Sequence, residues 1–261
     1  MPGPHRTWNW TTLNNMARML YHESPPEPGL AHVVDCWWSV IISPDGTGKP
    51  SHWVLPDGCH SLAVRVKQTW FTRLREPVLT PFRAPCLPDE EIVGIRFRPG
   101  IIPHAAMPAI HRRLRPGQTA AETLAILQDV VRVEVPNAPR SIDRMVSMVR
   151  EGQGRIPMSA VAETVQLSQR HLERLCLSTV GLRPKEFARV TRLQAVVRRL
   201  ITEPRPQLAD CAAEFGFTDQ THMTREFSTL GHLTPAAYLR MIRDVGFLLE
   251  NRLNTPVELP S

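Results

Sequence analysis

Two segments in the last third of the chain, residues 162–180 and 212–230, carry polar side chains of the types that recognise DNA bases. These side chains are Gln169, Arg170, Glu173 and Arg174 in the first segment, and Gln220, Thr221, Thr224 and Arg225 in the second. Arg can donate to both acceptors of a guanine, Gln can bond adenine, Glu can accept from cytosine, and Thr can touch the methyl group of thymine. At helical spacing, each set lies on one face of a helix.

The elements that position these side chains are two copies of one structural unit. Ala162 in the first copy matches Ala212 in the second, and Ser168 matches Thr218. A small residue lets two helices cross closely at a tight turn, and Gly216 suits the left-handed residue that ends a helix. Ser or Thr at a helix start accepts hydrogen bonds from the first backbone N–H groups. Each copy is therefore predicted to be a helix-turn-helix, with Ser168 or Thr218 capping its reading helix.

The stretch GFTDQTHMTREF, followed by LTPAAYLR, resembles the signature of the AraC/XylS family of bacterial transcription regulators. SQRHLERL with GLRPKEF is similar to the first helix-turn-helix of that family. The resemblance implies a seven-helix domain in which two reading helices enter successive major grooves, about 34 Å apart. It also implies that RNA polymerase is a partner and that double-stranded DNA is contacted by Arg170, Glu173, Arg174, Gln220, Thr221, Thr224 and Arg225. We add Ser168, Gln169 and Thr218 to the residues expected to contact DNA.

The first unit departs from the family's pattern at two positions. Gln166 stands where the turn usually has glycine, and a side chain there meets left-handed strain of roughly 1 kcal/mol. Cys176 stands where the family usually has a bulky Phe. We therefore expect the second unit to match the family's geometry more closely than the first.

Apolar residues at helical spacing predict two further helices in this region. One covers residues 140–151 and begins the DNA-binding domain, and the other, over residues 184–201, connects the two units. The residues predicted to face the core are Ile142, Met145, Val146, Val149, Phe187, Val190, Leu193, Val197 and Leu200.

Length, charge and cysteine content limit the class of protein. The chain has 261 residues, enough for two domains that each bury a core. Its 31 Lys and Arg against 25 Asp and Glu give a net charge of +6, a modest excess for phosphate contacts that weaken with salt. The 5 cysteines are irregularly spaced and predict no disulfide framework. No apolar run approaches the ~20 residues of a membrane helix, so we expect a cytoplasmic protein without membrane association.

Two prolines in the stretch VEVPNAP break helical periodicity and predict a domain boundary. We expect an N-terminal domain over residues 1–137, a DNA-binding domain over 138–243 and a C-terminal tail over 244–261. The predicted fold class is α+β, with a mainly β domain followed by an all-α domain. β-branched and aromatic content predicts the N-terminal strands, and a helix follows them. These elements cover residues 33–42, 61–66, 69–74 and 91–97 as strands and 119–131 as the helix.

The N-terminal domain resembles the sensor domain that precedes the DNA-binding unit in many members of the family. The resemblance implies a small-molecule effector or pairing of two chains into a homodimer. Trp37, Trp53 and Trp70 can line an apolar effector pocket, although a β core uses the same residues. Arg96 and Arg98 alternate along one strand and so share a face, where they can bind an anionic effector or form ion pairs.

Catalytic and metal chemistry find little support. The zinc-ligand types His52, Cys59 and His60, with Cys36 or Cys86, lack CxxC or HxH spacing. Buried or turn positions explain these residues better, because cysteine is often buried as a small apolar side chain. The chain also lacks a glycine-rich phosphate loop and a nucleophile elbow. We therefore expect no catalytic residue, no metal and no cofactor.

Together these patterns predict a sequence-specific transcription regulator, and the resemblance favours an activator. Its N-terminal domain would respond to a small molecule or pair two chains. Two alternatives stay open on the sequence. One is a constitutive DNA-binding protein whose N-terminal domain recruits a partner, and the other is a metal or redox sensor that uses the N-terminal Cys and His.

Overall fold

A computed structural model of the chain describes residues 19–42, 51–66, 72–85, 87, 89–203 and 205–244. The strands of the N-terminal part are β1 (Met19–Ser24), β2 (Val34–Ile42), β3 (Ser51–Val54), β4 (Ser61–Arg65), β5 (Thr72–Arg75), β6 (Phe82–Pro85) and β7 (Glu91–Phe97). Five of them form an antiparallel sheet in the order β1-β2-β7-β4-β5. The other two, β3 and β6, pair antiparallel in a second sheet. The N-terminal part is therefore β-rich, as predicted.

The central strand β7 is buried on both faces, which explains its continuous apolar sequence. The neighbouring β4 alternates instead, with Leu62 and Val64 buried between half-exposed residues. Gly94 of β7 pairs with Trp38 of β2. A Cβ at Gly94 would lie only 2.2 Å from the Trp38 indole, so glycine at this position lets the ring lie across the sheet.

Two helices cover the core of the sheet after a short 3-10 turn at Pro103–Ala106. They are α1 (Met107–Arg113) and α2 (Ala120–Glu134). Thr119 caps α2, because its side chain accepts from the Glu122 N–H at 3.2 Å while the Glu122 carboxylate accepts from the Thr119 N–H at 2.8 Å. The predicted helix over residues 119–131 is confirmed and is longer than expected.

The four predicted strands are present with shifted ends. Residues 91–97 match β7, and 33–42 and 61–66 match β2 and β4 to within one residue. Residues 69–71 of the fourth prediction lie outside the described residues, and β5 begins at Thr72. The prediction missed β1, β3, β6 and α1. β3 and β6 have 4 residues each, and Pro85 within β6 makes that segment resemble a turn.

The C-terminal part is helical, as predicted. Its helices are α3 (Arg140–Glu151), α4 (Met158–Thr164), α5 (Gln169–Val180), α6 (Pro184–Thr202), α7 (Leu208–Glu214), α8 (Gln220–Gly231) and α9 (Pro235–Asp244). The prediction for α3 is confirmed over the same residues, and that for the connecting helix α6 is short by one residue. Every residue predicted to face the core from these two helices is 2 % exposed or less.

Two separate apolar cores form on the connecting helix, one for each helix-turn-helix. The first core combines α3, α4 and α5 with the start of α6, and includes Leu172, Cys176, Val180 and Phe187. The second core combines the rest of α6 with α7, α8 and α9, and includes Phe215, Met223, Phe227, Leu230 and Tyr238. The two units are therefore joined by α6 and have separate cores.

Among the described residues, no helix combines the length and apolar character needed to cross a membrane. The same residues contain no group of three or more His, Cys, Asp or Glu side chains that could hold a metal ion. Cys36 and Cys59 are buried, and Cys86 lies outside the described residues. Residues 245–261, which make up most of the predicted tail, also lie outside them.

Candidate nucleic-acid interface

The first helix-turn-helix consists of α4 and α5, which meet at a turn over residues 165–168. Gln166 has a φ of 57°, so the glycine-like conformation predicted for this position is confirmed. Ser168 caps α5, with its Oγ accepting from the His171 N–H at 3.2 Å. Ala162 of α4 is 4 % exposed, at the place where α4 and α5 cross. The turn and the cap thus fix where the reading helix α5 begins.

The outer face of α5 is polar and open to solvent. The exposed residues are Gln169, Arg170, Glu173 and Arg174, whereas Leu172 and Cys176 on the inner face are buried. None of the three charged side chains forms an ion pair with another residue in the described part of the chain. Their donors and acceptors are therefore available to a ligand along one side of the helix.

Cys176 fills a core position in α5. Burial raises the pKa of its thiol to about 12, and the nearby charge of Glu186 acts in the same direction. The thiol therefore stays protonated and packs as a small apolar side chain. The departure from the family's Phe is accommodated inside the first core rather than at the surface.

The second helix-turn-helix consists of α7 and α8. Gly216 has a φ of 69°, as predicted for the residue that ends α7. The prediction that Thr218 caps α8 is wrong, because Asp219 holds the cap position and its Oδ1 accepts from the His222 N–H at 2.7 Å. The Thr218 Oγ1 lies 3.1 Å from the His222 Nδ1 instead. A carboxylate is as good a cap as a hydroxyl and its charge also suits a helix N-terminus.

The outer face of α8 repeats the arrangement on α5. Gln220, Thr221 and Arg225 are exposed and Thr224 is half-buried, while Met223 and Phe227 face the second core. Arg225 forms no ion pair with another residue that the structure describes. The two units therefore present similar polar surfaces at equivalent positions of their second helices.

Ion pairs that the sequence did not predict hold the second unit on α6. Arg189 of α6 donates to Glu226 of α8 through Nε at 2.8 Å and through an Nη at 3.2 Å. Arg199 of α6 lies 3.2 Å from the carboxylate of Glu214, at the end of α7. Neither partner is close in sequence to its arginine, so helical periodicity carries no signal for these pairs. Their geometry fixes α7 and α8 against the connecting helix.

Arg96, a predicted effector ligand, lies in a buried cluster of charges. It is 5 % exposed and forms ion pairs with Glu23, with Asp57 at 3.5 Å and with Asp35 at 3.9 Å. Asp35 also accepts a 2.7 Å hydrogen bond from Arg150 of α3. Burial alone would raise the pKa of Asp35, but the charges of Arg150 and Arg96 outweigh burial and lower it. The cluster therefore links the β-rich part to the helical part through charged groups.

The other predicted effector residues occupy different environments. Arg98 pairs with Asp143 of α3 at 3.1 Å. Trp37 is 2 % exposed inside the β core. Trp53 lies in β3, and Trp70 lies outside the described residues. Of the predicted effector residues whose side chains the structure describes, Arg96 alone lines the cleft described next.

A cleft of about 260 Å³ separates the β-rich part from the connecting helix. Asp35, Asp57 and Arg96 line one side of it, and Thr191, Gln194 and Arg198 of α6 line the other. The three α6 residues follow helical spacing, so they share one face. The walls combine polar and apolar surface in similar amounts, and both parts of the chain contribute to them.

Comparisons with known proteins divide the chain in the same way as the fold. Residues 161–241 match the model of a family described as a helix-turn-helix domain. Residues 22–110 match a domain of unknown function, DUF6597. No curated protein matches the chain.

Solved structures of one protein, ToxT from Vibrio cholerae, are similar to this chain at low identity. ToxT at 1.65 Å has 10 % identity and a TM-score of 0.44, over 74 % of this chain and 94 % of ToxT. ToxT of strain SCE256 with a bound unsaturated fatty acid has 11 % identity and a TM-score of 0.44, over 88 % and 98 % of the two chains. ToxT of strain O395 bound to (E)-4-(8-methylnaphthalen-1-yl)but-3-enoic acid has 8 % identity and a TM-score of 0.45, over 74 % and 95 %.

The helix-turn-helix match spans both units and the helix that joins them. Each unit has a left-handed turn residue, a capped second helix and an open polar face. Residues 161–241 thus form a helix-turn-helix domain, whose two units are similar to those of the AraC/XylS family of DNA-binding transcription regulators.

Proposed function

We propose that the protein reads a two-part DNA site with α5 and α8 and that a small molecule bound by its N-terminal domain controls this reading. The observation that carries the proposal is the pair of open polar faces on two equivalent helices. Neither Arg174 nor Arg225 forms an ion pair with a described residue. The proposal divides the chain into a control domain over residues 1–137, a DNA-binding domain over 138–243 and a tail.

Base recognition is assigned to the polar side chains on the outer face of the first turns of each reading helix. In helix-turn-helix proteins this end of the second helix enters the major groove. The proposed base-reading residues are Gln169, Arg170, Glu173, Arg174, Gln220, Thr221, Thr224 and Arg225. Ser168 and Thr218 precede the two helices, and we assign them contacts to the phosphate backbone.

Band-shift titrations of the full chain against its own upstream region test the DNA-binding part. Arg174→Ala and Arg225→Ala should each weaken DNA binding by ~1 to 3 kcal/mol, because each removes a guanidinium that can donate hydrogen bonds to DNA. Arg112→Ala is the matched control, since Arg112 is an exposed arginine of α1 in the β-rich part. Unchanged affinity in both reading-helix variants would rule out this docking of the two helices.

For the controlling ligand we propose a small hydroxylated organic anion in the cleft between the β-rich part and α6. Arg198 lines the cleft and has no ion-pair partner among the described residues. Asp57, Thr191 and Gln194 offer groups for hydroxyls. A ligand at this position would touch both the control domain and the helix that joins the two reading units.

Gluconate and sorbitol, two polyols of equal chain length of which only gluconate carries a carboxylate, provide a matched pair of probes. A ligand that binds only the folded protein raises its unfolding temperature. We expect gluconate to raise the unfolding temperature of the full chain, sorbitol to have no comparable effect, and Arg198→Gln to abolish the difference. Equal responses to the two compounds would contradict the proposed anion site and favour a regulator without this effector.

The proposal also includes activation of transcription through RNA polymerase, which follows from the family resemblance. Transcription in vitro from a promoter that the protein binds should rise on addition of the full chain and not of Arg225→Ala. Repression of the same promoter would contradict the proposed activation and identify the protein as a repressor. Light scattering of the full chain, free and on DNA, tests the homodimer that the resemblance also implies.

A further inference from the structure

Two loops of the β-rich part reach into the helical part of the molecule. One loop, residues 55–59, lies between β3 and β4, and the other, residues 77–79, follows β5. We call them the docking segments. Leu55, Gly58 and Pro77 are all buried, although they lie in loops, and loops usually run over the surface. What buries them is the helix-turn-helix domain.

The first docking segment enters the second core. Leu55 is 4 % exposed and belongs to the same apolar cluster as Phe227 and Leu230 of α8. A Cβ at Gly231, the last residue of α8, would lie 3.9 Å from the Leu55 side chain. Leu55 therefore packs beside the C-terminal end of the second reading helix.

The same segment also holds the connecting helix. The Gln194 side chain donates to the backbone carbonyl of Pro56. Gly58, with a φ of 72°, lies so close to α6 that a Cβ there would be 2.9 Å from the Phe187 ring. Phe187 belongs to the first core, so residues 55–59 contact both cores and the helix between them.

The second docking segment contacts the first unit and bridges the two cores. A Cβ at Gly181, which directly follows α5, would lie 3.4 Å from Pro77. Leu79 packs against both the first core and the second core. Both reading helices are thus held from the β-rich part at their C-terminal ends, in addition to their attachment to α6.

We infer that the docking segments position the two reading helices relative to each other, with Leu55 and Leu79 as positioning residues for DNA recognition. The inference rests on the proposed two-part reading of DNA. Two helices that enter successive grooves must keep a fixed separation and rotation. The two units have separate cores and share α6, so a third body that touches both restricts their relative movement. The β-rich domain therefore determines which spacing of the two half-sites the protein accepts.

The experiment measures spacing tolerance in the full chain. Selection from a library of randomised DNA duplexes identifies the two half-sites, here called boxes, that the wild-type protein binds. Duplexes with one base pair added or removed between the boxes are then compared with the selected spacing. For the wild type we expect a loss of roughly tenfold on each shifted duplex, a size typical of one misread position in a DNA site.

The double variant Leu55→Ala with Leu79→Ala should bind the shifted duplexes within about threefold of the selected one, well under the loss that one misread position causes. Leu114→Ala is the matched control, because Leu114 is 1 % exposed in the core of the β-rich part and belongs to neither helix-turn-helix core. The Leu114→Ala variant should keep the wild-type preference for the selected spacing of the two boxes. Leu55→Met with Leu79→Met, which refills the volume, should restore discrimination.

Each outcome separates the inference from the proposed function. A wild-type selection that returns a single box contradicts two-part reading itself. A two-box selection with unchanged spacing discrimination in the folded double variant overturns only the role of the docking segments. Circular dichroism melts establish folding, and if the double variant does not fold, Leu79→Ala alone carries the same test, since Leu79 is only partly buried.

Discussion

The carboxylate of Asp35 in β2 accepts a 2.7 Å hydrogen bond from the guanidinium of Arg150 in α3. These residues are 115 positions apart in the chain, and their pair joins the β-rich part to the helical part. Arg96 lies on the other side of Asp35, so one carboxylate serves two cations. The contact between the two parts of the molecule is therefore ionic at this point and apolar at the docking segments.

Asp35→Asn should lower the free energy of unfolding by about 2 kcal/mol at neutral pH, because a hydrogen bond to a charged group in a partly buried site is lost. Asp129→Asn is the control, since the Asp129 side chain is 55 % exposed in its pair with Arg113 and exposed pairs contribute little. Urea unfolding measures both variants. A loss no larger than that of the control would show that the pair does not stabilise the contact.

The pH dependence of the Asp35 contribution follows from its lowered pKa. A carboxyl whose pKa is lower in the folded state stabilises the protein fully above its unfolded pKa, near 3.8, and loses this contribution as pH falls through the folded value. The difference between wild type and Asp35→Asn should therefore be constant from pH 7 to pH 5 and shrink only below pH 3.8. A difference that already declines between pH 7 and pH 5 would contradict this assignment.

His60 should make the protein less stable in mild acid. Burial, with a smaller effect from the charge of His104, lowers the pKa of His60 from 6.5 to about 4. Between these two values the unfolded chain takes up a proton that the folded chain does not, so stability falls as pH decreases, by about 1 kcal/mol per pH unit. His60→Phe should flatten this slope in urea unfolding between pH 7 and pH 4.5, and an unchanged slope would contradict the lowered pKa of His60.

Gln166→Gly should stabilise the helical part, because φ at this position is 57° and glycine adopts the left-handed region without strain. We expect a gain of roughly 1 kcal/mol in the free energy of unfolding. Gln166→Ala is the control, since it shortens the side chain but keeps the Cβ that causes the strain. Equal effects of glycine and alanine would attribute the change to the lost side chain instead of the backbone.

Asp219→Ala should destabilise α8 by about 1 kcal/mol, the usual cost of losing an N-terminal cap. Thr218→Ala should cost less, because Thr218 contacts the His222 ring and not a backbone N–H of the helix. Thermal unfolding compares the two variants, with Ser168→Ala as the equivalent loss at α5. A larger effect of Thr218→Ala than of Asp219→Ala would contradict the assigned cap.

Local features of the helical part could be predicted because their causes lie within one or two turns of chain. The apolar spacing of residues 140–151 and 184–201 predicted α3 and α6, and the Ser168 hydroxyl predicted the start of α5. The choice between Thr218 and Asp219 as the cap failed for an equally local reason. Adjacent residues both carry a suitable oxygen, and only the backbone geometry decides which one reaches the helix.

The β-rich part was harder to predict because its partners are distant in sequence. Short strands such as β3 and β6 gain their stability from pairing with each other. The paired residues Trp53 and Arg83 are 30 positions apart, and His52 and Ala84 are 32 positions apart. Arg96 lies in a strand whose sequence was recognised, but its ion pair with Glu23 spans 73 positions. Alternation along the strand indicated a shared face with Arg98 and could not show what each guanidinium binds.

The doubled helix-turn-helix, its capped reading helices and its exposed polar residues were determined by the sequence, because periodicity, caps and turn residues act over short distances. Tertiary structure alone decided that Leu55 and Leu79 from the β-rich part complete the cores beneath those helices. It also decided that a cleft lined by several charged side chains opens against Arg198. Such contacts depend on how two separately folded parts pack together. No local pattern in a single sequence indicates this packing.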